Sequence, residues 1–165
     1  MSRRDAIRMS ADELVYYVTE HTVVTLATLG PNGRPHLAPL WYVPRDLAPD
    51  ATPPLRLATW TYGKSQKAVN LRRDPRVTLL IESGDSYDRL RGVSMECDIE
   101  LVTDTNAVAA IGLDLARRYT PGVDVDALEK AVAAQAPKRV GLICTPTKIV
   151  SWDHTKLGTK LGGGY

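Results

Sequence analysis

The chain has 165 residues, 44% of them hydrophobic and 24% charged, with 21 lysines and arginines against 19 aspartates and glutamates and a formal net charge of +2. This length suits one domain spanning residues 1–165 with a sizeable core, the composition excludes a disordered or fibrous chain, and the small charge makes no case for nucleic acid as a partner. The two cysteines, Cys97 and Cys144, lie far apart with no C-x-x-C spacing, so neither a metal centre nor a disulfide framework is expected.

Met1 to Ser10 is basic but leads into no apolar signal core, and no apolar run approaches the ~18 residues of a membrane helix. A soluble, cytoplasmic protein without membrane attachment is expected. Ser10-Ala11-Asp12-Glu13 fits a capping box that opens a helix to about Glu20, with Leu14 and Val18 on its packing side. The runs Thr22 to Leu29 and Arg34 to Val43 flank Gly30-Pro31-Asn32-Gly33, which signals a hairpin. Pro35 and Pro39 cannot donate to a ladder, so the second strand is expected at an edge, leaving backbone groups for a ligand.

A Pro-rich loop, Pro44 to Pro54, leads to a third strand, Leu55 to Thr61, and then to a short helix starting at Ser65. Strands are expected over Arg76 to Glu82 and Gly92 to Val102. In the latter, Met95, Cys97, Ile99 and Leu101 alternate with polar residues, which makes Cys97 an inert core thiol. Helices follow over 106–119, apolar at Val108, Ile111 and Leu115, and over 125–135. Arg139 to Trp152 is the last strand, bent at Pro146, and Gly158 to Tyr165 is a Gly-rich tail. Six short strands, with helices at the ends and in an insertion at about 104–138, point to a mostly β, antiparallel barrel with accessory helices.

Gly63-Lys64-Ser65-Gln66-Lys67-Ala68-Val69-Asn70-Leu71 follows a strand and opens a helix. Ser65 as N-cap leaves the amides of Gln66, Lys67 and Ala68 facing outward from the helix start, where anions are favoured. Lys64 and Lys67 add two mobile charges there, and Lys67 and Asn70 share a helix face. The segment reads as a grip on a phosphorylated ligand; the alternative is a solvated basic face formed by Lys64, Lys67, Arg72, Arg73 and Arg76. His21, His36 and His154 are scattered, and no catalytic triad or metal-ligand spacing is present.

Three segments occur in a telling order: Val24 to Leu29 with Asn32-Gly33-Arg34-Pro35-His36, then Pro39-Leu40-Trp41-Tyr42, then Ser65 to Val77. On these the chain resembles the pyridoxamine-phosphate-oxidase-like split β-barrel superfamily, specifically the B-type flavin/deazaflavin oxidoreductase group that binds coenzyme F420. The likeness covers about Val24 to Val102 and weakens across Asp104 to Lys138. It implies a Greek-key-like split β-barrel that forms a homodimer, with a flavin or deazaflavin in a groove between the subunits. It implies that the cofactor's phosphate end meets Ser65, Lys67 and Asn70, with Lys64 a further contact and Gln66 in the same segment. The ring would lie along Pro39, Leu40 and Trp41, Thr59 and Trp60 would line the groove, and Trp152 would close it from the partner subunit or serve ordinary packing.

Three readings follow. In the first, the chain uses coenzyme F420 to reduce an unsaturated or tetrapyrrole-like small molecule, since the Ser65 to Asn70 string is similar to that of deazaflavin-using members, biliverdin reductases included. In the second, FMN serves a pyridoxamine-phosphate-oxidase-like oxidoreductase. True pyridoxamine-phosphate oxidases carry an Arg-Leu motif after a carboxyl-terminal Trp, and Trp152 is followed here by Asp153-His154-Thr155-Lys156-Leu157. In the third, the barrel binds a cofactor or haem without catalysing a reaction. A redox ring would carry the chemistry itself, which accounts for the lack of a catalytic constellation in the sequence.

Overall fold

The computed structural model describes residues 3–158, so the tail beyond Gly158 lies outside the described residues. A short helix, α1 (Arg3–Ala6), precedes α2 (Ala11–Glu20). The capping box forms as expected: the Glu13 amide donates to Ser10 Oγ, and the Ser10 amide donates to Glu13 Oε2 at 2.7 Å. Leu14, Tyr17 and Val18 form its buried face. The hairpin follows, β1 (Val23–Leu29) and β2 (Pro35–Trp41), with Gly33 at φ 77° supplying the positive dihedral of the turn.

The expected single strand Arg34 to Val43 is in fact two, β2 and β3 (Val43–Arg45), so the barrel has seven strands where the sequence suggests six, and the Pro-rich loop starts later. Tyr42 is the break. Its side chain turns fully inward, with the hydroxyl 2.6 Å from the Val18 carbonyl oxygen and 2.7 Å from that of His21. The remaining elements are β4 (Arg56–Tyr62), α3 (Gln66–Arg73), β5 (Arg76–Ser83), β6 (Arg91–Val102), α4 (Thr105–Tyr119), α5 (Val125–Gln135) and β7 (Arg139–Asp153). Among the described residues, no helix is long and apolar enough to cross a membrane.

The strands form one antiparallel sheet in the order β2-β1-β5-β6-β7-β4-β3. Laid flat, six spacings of about 4.8 Å would hold the two edges about 29 Å apart. Yet the edge strands β2 and β3 are separated in the chain by Tyr42 alone, so the sheet must curl into a split barrel. Thr59 Oγ1 pins the seam by donating to the Trp41 carbonyl at 2.6 Å. The long β6/β7 pair slips register between Glu96 and Cys97, opposite Pro146, where the missing N–H breaks the ladder and produces the expected bend.

Leu26, Leu57, Leu79, Met95 and Leu142 fill the barrel with Tyr17 and Val18 of α2. Cys97 and Cys144 lie in this core, and burial pushes the Cys97 thiol up to about 12, consistent with the inert thiol read from the sequence. A second, smaller cluster lies outside the barrel, where Ile111 and Leu115 of α4 pack on Ala58 of β4. Buried aliphatic side chains of this kind each contribute about 1.5–3 kcal/mol. Strand β4 is therefore covered on both faces, and its outer face becomes the floor of the candidate site.

Candidate cofactor site

Between the outer face of the β2/β4 seam and the α4/α5 pair lies a cavity of about 610 Å³. Its walls include Pro39, Leu40 and Trp41 from β2 and Thr59 and Trp60 from β4, which brings together five residues singled out in the sequence. Leu115 and Tyr119 of α4 and Leu128 and Val132 of α5 close the other side. The volume is in the range that holds a small organic ligand, and the lining is dominated by apolar and aromatic side chains.

Two aromatic arrangements shape it. The Trp41 indole is stacked on Tyr119, with ring centroids 4.6 Å apart and planes 5° from parallel. Tyr119 is itself held in place, because its hydroxyl donates towards the Thr22 and Tyr42 carbonyls and accepts the Tyr42 amide at 3.0 Å. At the other end Trp60 lies against Gly112, and the Arg139 guanidinium rests over both Trp60 and Tyr62, 4.4 and 4.3 Å from the two ring centroids. Tyr62 and Arg139 face each other across the β4/β7 ladder. Trp60 and Tyr62, two apart on one strand, share a face, so Arg139 covers the pair.

The same strand leads out of the cavity into the cationic helix start. Past Tyr62, the chain turns through Gly63 and Lys64 to Ser65, whose hydroxyl caps α3 by accepting the Ala68 amide and lies 3.3 Å from Thr61 Oγ1. Lys67 is half-buried, which holds its ammonium below the usual lysine value, and among the described residues no carboxylate pairs with Lys64 or Lys67. A desolvated cation without a counter-ion favours an anionic visitor.

Asn70 is fully buried. Its Nδ2 donates to Thr28 Oγ1 at 3.0 Å and its Oδ1 accepts from Gln66 Nε2 at 2.9 Å, which ties α3 to β1. Gln66 is thus Asn70's partner, while its own side chain stays exposed. Trp152 is not in this cavity: it lies near the far end of β7, with its indole where a Cβ on Gly92 would have to sit. Sequence reading did not single out Gly112, Tyr119, Gln135 or Arg139. Arg139 would have required the β4/β7 register, which no local pattern supplies.

A family model, pyridoxamine 5'-phosphate oxidase, matches residues 10–153. The chain belongs to this family. A conserved hypothetical protein of Mycobacterium tuberculosis is 40% identical, with a TM-score of 0.84 over all of this chain and 98% of its own. Two more distant structures share the split-barrel fold. An F420 reductase is 22% identical with a TM-score of 0.59, over 81% of this chain and 93% of that one. A haem storage protein from Vibrio cholerae is 16% identical with a TM-score of 0.62, over 85% and 93%. No curated protein sequence matches the chain. Proteins with different names and uses thus share this split-barrel fold.

Proposed function

We propose that the chain is a coenzyme F420-dependent oxidoreductase that passes a hydride to an unsaturated or tetrapyrrole-like small molecule. The observation that carries this is the course of β4: Thr59 and Trp60 floor an apolar cavity, and six residues past Thr59 the same chain caps the α3 start flanked by the unpaired Lys64 and Lys67. An apolar room joined through one strand to a cationic helix start, whose residues do not themselves line the room, fits a flat redox ring that ends in a phosphate.

Pro39, Leu40 and Trp41 would flank the ring, and Ser65, Lys67 and the free α3 amides would hold the phosphate, with Lys64 at the rim. Asn70 and Gln66 would keep α3 seated on β1 so that these donors stay aimed. When bound, the coenzyme supplies the hydride. The protein's share is then positional: it excludes water, fixes the ring against the β2 edge, and holds an acceptor in contact. None of the three histidines lines the cavity, which favours a redox ring over haem.

FMN is the second reading, favoured by the family match and by a helix start that would serve any phosphorylated ring. Two copies would pair through the β2 edge, where Leu37 is 64% exposed and Trp41 56%. Sedimentation showing a monomer would remove the pairing. A side-by-side fluorescence titration of the apo-protein with coenzyme F420 and with FMN tests the cofactor. Tight F420 binding with weak FMN binding is expected; the reverse makes the protein a flavoprotein, and binding of neither overturns both readings.

A further inference from the structure

Among the described residues that line the β4/α5 cavity, Arg139 is the one carrying charge, and no carboxylate lines it. Among the described residues, Arg139 also has no acidic partner within 4.0 Å. Its holder is neutral: Nε and Nη2 both donate to Gln135 Oε1, at 3.1 and 2.5 Å. The rings of Trp60 and Tyr62 lie with their centroids 4.4 and 4.3 Å from the guanidinium carbon, and Gln135 takes one edge. Five N–H donors less two leave three, and these lie on Nη1 and Nη2, the fork that matches a carboxylate in two parallel hydrogen bonds.

We infer that this cavity takes a flat, apolar molecule that carries a carboxylate, and that Arg139 is the residue that selects it. A half-buried guanidinium at the rim of an apolar room offers its free edge beside a low-dielectric wall, so a carboxylate gains more there than in open solvent. An uncharged analogue of the same shape leaves the fork unmatched, and discrimination follows from that loss. Gln135 and the two rings are positioning residues, since they fix the plane of the fork without touching the ligand's charge. The ligand's role as hydride acceptor rests on the proposed function above; its binding does not.

The probes are naphthalene-2-carboxylate and its neutral amide, titrated by calorimetry into the full chain at low salt without coenzyme. The carboxylate is expected to bind at least tenfold tighter. In Arg139→Gln the two should bind alike, and Arg139→Lys, which keeps the charge but not the fork, should recover part of the preference. Equal affinities in the unaltered protein, no binding of the carboxylate, or a preference that survives Arg139→Gln would each overturn the inference. Arg139 could instead read the cofactor's phosphate, so FMN and riboflavin are titrated into the same variants. An FMN-over-riboflavin preference unchanged by Arg139→Gln is expected, and its loss would move Arg139 to the phosphate end and overturn the carboxylate assignment. A retained carboxylate preference with no binding of FMN or F420 would sink the cofactor reading and leave this inference standing.

Discussion

The indole of Trp60 occupies the place where a side chain on Gly112 would have to stand, with the nearest ring carbon 2.3 Å from an ideal Cβ. One wall of the cavity therefore depends on a missing methyl group. Alanine within a helix gains about 1 kcal/mol over glycine, whereas overpacking a close contact costs about 1–3 kcal/mol. Because the ring is held between α4 and Arg139, Gly112→Ala should lower the melting temperature. A rise in a thermal melt would show that Trp60 moves aside freely.

Asn70→Ala should destabilise the fold by about 1–3 kcal/mol, since it leaves the buried Thr28 hydroxyl without its donor and frees Gln66. Denaturant titration checks this. An unchanged midpoint would mean that Asn70 does not brace α3.

Trp41 is more than half exposed and makes a stack of the kind worth about 0.5–1.5 kcal/mol. Trp41→Ala should therefore shift the melt only slightly while weakening cofactor binding. A large melt shift with unaltered binding would make Trp41 a packing residue.

Lys67→Ala should weaken binding of the phosphorylated cofactor by about 1.5–3 kcal/mol, the range for a charged hydrogen bond. Riboflavin, which has no phosphate, should bind the variant and the unaltered protein alike. Unchanged FMN or F420 affinity would take Lys67 out of the site.

Burial raises the thiol of Cys97 to about 12, that of Cys144 further still, and the Tyr42 phenol above its ordinary range. Groups whose folded pKa is raised stabilise fully below their unfolded value and lose that contribution as pH climbs towards the folded one. Stability should therefore fall from about pH 9 upward, read as melting temperature against pH. A flat profile from pH 8 to 11 would contradict the burial of these groups.

Much of the fold was legible because its signals are local. Ser10 and Glu13, Asn32-Gly33 and Ser65 each announce an element end within a few residues, and the α4 face Val108, Ile111, Leu115 repeats at helical spacing. The break at Tyr42 was not legible, since the run on either side looks like one strand and the cause is a hydroxyl bound to carbonyls 21 and 24 residues away. In the site, the β2 and β4 residues were indicated by the family resemblance, on strands that readable punctuation delimits. Arg139, Gln135 and Tyr119 come from segments brought over the strands only by folding, and Asn70, which the resemblance placed at the cofactor's phosphate end, is fully buried with its Nδ2 donating to Thr28.

The junction between the two edge strands has a further consequence. The Tyr42 amide belongs to no ladder, yet it is bonded to the Tyr119 hydroxyl on the helix that roofs the cavity. Its exchange with deuterium should consequently be slow while α4 is seated and fast when α4 lifts. A single peptide proton thus gauges whether the roof is down, and a ligand filling the room would register at Tyr42 without touching it.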